Sequence, residues 1–111
     1  MSEKDYGNLL AILDASEKIH RFTADHFDAD SFFKDEETFD AVLLNFVIIG
    51  ESVTRLSDEI KVRNDHIPWR QIKEFRNIVA HDYFGVDAEE VWQIIQHSLP
   101  TLDSNIRALL K

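Results

Sequence analysis

The sequence predicts an all-α fold, a four- to five-helix up-and-down bundle, on three observations. Apolar residues recur at three- and four-residue intervals through most of the chain, the spacing that lines one side of a helix. Only three glycines and two prolines occur in 111 residues, too few to turn a many-stranded β fold. Apolar residues make up 44% and charged residues 30%, the balance of a globular domain that can bury its own core. No linker, repeat or low-complexity tract divides the chain, so residues 1–111 are expected to form a single domain.

Leu9, Ile12, Leu13, Ser16, Ile19, Thr23 and Phe27 trace one side of a first helix, roughly residues 5–27. Asp28 to Phe33 reads as a polar loop carrying an aromatic pair. Asp35, Glu36 and Glu37 then place acids where the helix dipole favours them, at the start of a long helix. Phe39, Val42, Leu43, Phe46, Ile49, Val53, Leu56 and Ile60 make it the most periodic stretch of the chain. Val47 and Ile48 widen its apolar surface, which predicts more than one packing neighbour, and Gly50 predicts a close helix–helix crossing. Arg63 to His66 reads as a turn, with Pro68 at the first position of a helix striped by Trp69, Ile72, Phe75 and Val79. Beyond Gly85, Asp87 and Glu90 predict a capping box, and Val86 and Val91 a hydrophobic staple. Val91, Ile94, Ile95, Leu102, Ile106 and Leu109 carry the last helix, with a kink or short break near Ser98 ahead of Pro100.

Composition also removes whole classes of function. No run approaches the ~18 consecutive apolar residues of a membrane span, and the polar start lacks the apolar core of a secretory signal. Without cysteine there is no disulfide scaffold, thiolate chemistry or Cys-ligated zinc, which fits a cytoplasmic location. The net charge of −9 is uneven: residues 1–40 hold eleven acids and four bases, residues 41–80 five and six, and residues 81–111 five and two. An acidic chain repels polyanions at long range, so the middle third is where a phosphate would be welcome. Among the five histidines, Glu17 and His20 form a Glu-x-x-His pair, but it occurs once and no two histidines stand four apart. No metal site is therefore expected. The surroundings of His20 and His81 suit a phosphotransfer histidine poorly, since bulky or charged residues follow both.

The remaining constellation is Arg76, Asn77, His81, Asp82 and Tyr83. On a helix turning about 100° per residue, Arg76 and Tyr83 are about 20° short of two turns apart and share a face. His81 lies about 140° from Arg76, within reach of the same cleft through a long arginine and a loosened last turn. A fixed cation, an imidazole and a phenol are what phosphodiester cleavage without a metal would use. Arginine neutralises charge building on the phosphorane oxygens, and histidine exchanges a proton with the ribose 2′-hydroxyl or the leaving oxygen. One histidine serves both proton transfers poorly, which points to a dimer supplying two. Spacing alone favours a structural helix end, with Arg76 and Asp82 in surface ion pairs, His81 and Asp82 ending the helix and Tyr83 packed on Trp92.

At these residues the chain resembles the HepT-like ribonuclease toxins of the HEPN superfamily. Their motif is an Arg, a polar residue, three further positions, a His, any residue and a Tyr, which Arg76, Asn77, His81 and Tyr83 match position for position. The flanks are similar too: Ile48-Ile49-Gly50-Glu51, Ile67-Pro68-Trp69, Asp82-Tyr83-Phe84-Gly85-Val86, Val91-Trp92 and Leu99-Pro100-Thr101-Leu102. The resemblance implies a helical homodimer with a composite RNA-cleaving cleft, in which Arg76 and His81 are catalytic and Asn77 and Tyr83 support them or contact RNA. It implies a metal-independent endoribonuclease held in check by a minimal nucleotidyltransferase antitoxin that adenylylates Tyr83. ATP and magnesium would belong to that partner, leaving this chain without a cofactor. HEPN domains also serve as non-catalytic docking partners of nucleotidyltransferases, which is the alternative reading.

Overall fold

In the computed structural model, which describes residues 1–111, α1 (Glu3–Thr23) starts at Ser2, whose hydroxyl accepts the Asp5 amide at 3.0 Å. α1 is followed by α2 (Ala29–Lys34), α3 (Glu36–Arg55), α4 (Asp58–Arg63) and α5 (Trp69–His81). A 3₁₀ turn at Tyr83–Gly85 leads to α6 (Ala88–Gln93), a π turn at Ile94–Ser98 and α7 (Leu99–Leu109). The fold is all-helical and consistent with a HEPN-like bundle.

α3 is the central helix, packed between α1 and α5. Both neighbours run antiparallel to it, as cross-links near the helix ends establish. Asp5 at the start of α1 meets Ser57 just past α3, while Gly50 and Asp40 of α3 meet Arg76 and Tyr83 respectively. α7 closes the bundle against α1, where Asp103 accepts from the buried Ser16 hydroxyl and pairs with His20 Nε2 at 2.9 Å. His20 thus serves an inter-helix bond. Every residue of the predicted α3–α4 stripe is buried, from Phe39 to Ile60, as are Leu9, Ile12, Ile19, Trp69, Val79, Val91, Ile95, Leu102 and Ile106. Val47 packs against this core, but Ile48 is exposed and does not widen the contact as expected.

Four expectations need correction. The first helix ends at Thr23, not at residue 27, and Phe27 is 91% exposed. There the chain turns so that His26 can bond Ser31 Oγ and Asp35 Oδ2, both at 3.1 Å. The segment expected as a loop is α2: Asp28 caps it by accepting the Ser31 amide at 2.8 Å. Phe32 then sinks fully between Phe39 and Trp92. The long helix is interrupted at Leu56–Ser57, where Ser57 caps α4 while its amide and hydroxyl donate to the Asp5 carboxylate at 2.8 and 2.6 Å. Pro68 is the residue before α5, spanned by an inverse γ-turn from Trp69 N–H to the Ile67 carbonyl at 2.8 Å.

The C-terminal helix meets Pro100 as a π turn and does not break. The Leu99 amide reaches back five residues to Ile94, absorbing the residue that Pro100 would otherwise displace. Asp87 caps α6 by accepting the Glu89 amide at 2.9 Å, and Val91 is buried with Val86 packed beside the core.

Candidate functional site

α5 positions the first half of the motif through its packing on α3. A Cβ built on Gly50 would overlap that of Arg76 and stand 3.6 Å from its Cα, so only glycine allows the crossing. This is the close approach expected from the sequence, and it fixes the root of the Arg76 side chain. The head of that side chain is fixed as well: Nη1 donates to Glu51 Oε1 at 2.6 Å, a short charge-assisted bond one residue further along α3. Between root and head, Nε is buried without a hydrogen-bond partner. An orphaned buried donor costs about 1–3 kcal/mol, so the guanidinium is held in a pose that hydrogen bonding alone would not choose. Of the ion pairs that the structural alternative gave to Arg76 and Asp82, the one of Arg76 is present, with Glu51.

α5 ends at His81, with the Asp82 amide closing its last turn on Ile78 at 2.8 Å. The imidazole of His81 is exposed, and the two carboxylates that reach the motif from α3 go to other groups. Asn77 is half-buried one residue beyond Arg76. Gly85 lies beneath Asp82: a Cβ there would come within 2.7 Å of the Asp82 carboxyl carbon, so the side chain folds over the 3₁₀ turn only because Gly85 has none.

Tyr83 stands outside α5, in that 3₁₀ turn, so the angle expected on a continuous helix does not apply. It nevertheless turns to the same neighbour as Arg76, because its phenol donates to Asp40 of α3. It does not pack on Trp92, whose ring lies against Phe32. The bond to Asp40 pushes the Tyr83 pKa up to about 12, helped by partial burial and by the negative charges of Asp40 and Glu36. Arg76 and Tyr83 therefore meet α3 at Glu51 and Asp40, eleven residues apart, which is about three helical turns and about 16 Å along one face. Leu44 and Ile48 lie on that face between them, 60% and 38% exposed. Phe84, beside Tyr83, is 98% exposed.

The sequence identified the α5 residues but not their α3 partners. Glu51 entered only as a flank of the resemblance and Asp40 not at all. The available signal was two acids three turns apart with no other charged residue between them. A cleft of about 430 Å³ opens elsewhere, between Phe46 and Ile49 of α3, Phe75 of α5 and Leu102 of α7. None of Arg76, Asn77, His81 and Tyr83 lines it.

Comparison with known proteins places the chain beside ribonucleases. The family described as "Ribonuclease HepT-like" matches residues 12–109. The "Probable ribonuclease HepT" of Thermococcus cleftensis is 34% identical over 99% of this chain and 97% of its own length. A "Putative RNase" of Methanocaldococcus jannaschii is 31% identical over 100% of this chain and 92% of its own. A longer protein of that organism, "Gamma-glutamylcyclotransferase and putative RNase", is 34% identical over 90% of this chain, which spans only 45% of its length. No solved structure matches the chain. With nearly its whole length matched, the chain belongs to the HepT-like ribonuclease family.

Proposed function

We propose that this protein is a metal-independent endoribonuclease, the toxin of a toxin–antitoxin pair, acting as a homodimer in the cytoplasm. The observation that carries the reading is Arg76 fixed against Glu51 on the same short helix as an exposed, freely reachable His81. Arg76 stabilises the charge that builds on the scissile phosphate, and Asn77 helps to orient it. The ribose 2′-oxygen attacks phosphorus and the bond to the 5′-oxygen breaks, leaving a 2′,3′-cyclic phosphate. One His81 takes the 2′-hydroxyl proton and the other, from the second copy, gives a proton to the leaving 5′-oxygen. The exposed apolar pair Leu44 and Ile48, beside the motif, supports a second copy packing on this face.

Inhibition is read at Tyr83. Its hydroxyl gives its proton to Asp40 as the oxygen attacks the α-phosphorus of ATP held by a partner nucleotidyltransferase, pyrophosphate leaves, and the adenylyl group places charge and bulk where substrate phosphate belongs. The phenol is partly exposed and thus accessible to such an enzyme.

The test is cleavage of a mixed transfer-RNA and messenger-RNA pool in EDTA by the wild type and by His81→Ala. The wild type is expected to cut, and the variant to lose at least about a hundredfold in rate with its fold intact. An active His81→Ala would remove the histidine from the chemistry, and an inactive, unmodified wild type would favour the docking module.

A further inference from the structure

We infer that Glu51 is a positioning residue of the ribonuclease site: it aims Arg76 and thereby decides which of its N–H groups meet the RNA phosphate. The inference rests on the ribonuclease reading above and adds a residue to which no role has been given. Arg76 carries five N–H donors. One, on Nε, is buried and unreachable, and one on Nη1 is spent on Glu51 at 2.6 Å. The three left, the second hydrogen of Nη1 and both of Nη2, are the donors that can meet phosphate oxygens. The Gly50 crossing pins Cβ at the other end of the side chain, so the guanidinium is gripped at root and tip. Both grips come from adjacent residues of the central helix. The buried Nε without a partner is the mark of that constraint, because a freely rotating guanidinium would turn to satisfy it.

Glu51 also sets a charge balance. Its carboxylate offsets the guanidinium, so RNA in the ground state is drawn less strongly than by a bare arginine. Truncation therefore separates aim from attraction. Misplacing a catalytic group by about 1 Å costs on the order of a hundredfold, so Glu51→Ala is expected to lower kcat by about 10- to 100-fold. KM falls, because the loss of a negative charge favours RNA binding. In Glu51→Gln the side-chain oxygen still accepts from Nη1, so kcat stays within about threefold of the wild type while KM falls as in the alanine variant.

The experiment measures kcat and KM on one fluorogenic RNA in EDTA for the wild type, Glu51→Ala and Glu51→Gln, with thermal midpoints beside them. A kcat loss in the alanine variant that glutamine restores, with KM falling in both, supports the role. Equal kcat losses in both variants would overturn it in favour of a proton-transfer role for Glu51, and an unchanged kcat in Glu51→Ala would show that Arg76 needs no aiming. Loss that follows a collapsed thermal midpoint, with KM unmoved in the glutamine variant, would reduce Glu51 to a fold-stabilising residue. A wild type that cuts no RNA fails at the first step, so the ribonuclease reading falls and this role with it.

Discussion

Tyr83 is held in the protonated state by its surroundings. Its hydroxyl donates to Asp40, and Glu36 one turn earlier on α3 adds a second negative charge, so ionising the phenol would set like charges together. The sign of the effect is definite. A pKa raised from 10.0 to about 12 means that the contact stabilises the fold fully below pH 10, and that this contribution fades as pH climbs toward 12. Asp40→Asn keeps an oxygen to accept the phenol but removes the charge. Spectrophotometric titration of tyrosinate, with Tyr83→Phe to assign the signal, should show the Tyr83 transition near 12 in the wild type and closer to 10 in Asp40→Asn. A wild-type transition already at 10 would mean the bond to Asp40 does not persist in solution. Arg76, His81 and Tyr83 were legible in the sequence because their chemistry is written in residue type and short spacing. Asp40 and Glu51 were not, since they lie 43 and 25 residues away and only the α3–α5 crossing brings them in.

The starts of α3 and α6 were legible because an acid caps each one locally, whereas the equally local caps of α2 and α4, Asp28 and Ser57, were missed. Asp35 accepts the Thr38 amide and Asp87 that of Glu89, both within a turn of their own position. The break at Leu56–Ser57 was hidden for a physical reason: Leu56 and Ile60 both remain buried, so the apolar register runs unbroken across a broken backbone. The device that stabilises the break is a contact across 52 residues, with Asp5 accepting both the amide and the hydroxyl of Ser57. The Ser57 hydroxyl bond, followed by its amide, lowers the Asp5 pKa below 3.8 against the opposing effect of burial. The stabilisation is therefore complete above about pH 4 and is lost as pH falls through the depressed value. Asp5→Ala leaves the Ser57 amide without its acceptor and should cost about 2 kcal/mol, read as a lower denaturant midpoint at pH 7. The gap between variant and wild type should narrow on acidification, and a gap constant down to pH 2 would rule out the ionised carboxylate as its source.

At the scale of the whole molecule, the acidity of residues 1–40 looks unfavourable for an enzyme of RNA, but several of those acids are already engaged in the fold. Asp28 and Asp35 cap α2 and α3, Asp5 anchors Ser57, Asp40 holds Tyr83, and Asp14 pairs with Lys18 at 3.2 Å. Charge counting along the sequence could not separate these from a repulsive surface. What the fold leaves unfilled is apolar: Leu44 and Ile48 lie exposed on the face of α3 between the two contacts that hold the motif, with Phe84 fully exposed beside Tyr83. In the proposed dimer this strip packs on its own image, which also brings two His81 side chains to one cleft. Leu44→Glu then sets a carboxylate against its symmetry mate in a dry contact. An uncompensated buried charge costs about 3 kcal/mol or more, enough to raise the dimer Kd by two orders of magnitude or more. Leu44 touches neither Arg76 nor His81 through any hydrogen bond, so the folded protomer should keep its helical circular dichroism. Sedimentation at micromolar concentration is expected to show a wild-type dimer and a Leu44→Glu monomer, with RNA cleavage lost in step. If the monomeric variant cuts RNA at the wild-type rate, a single copy completes both proton transfers, and the second His81 is not needed.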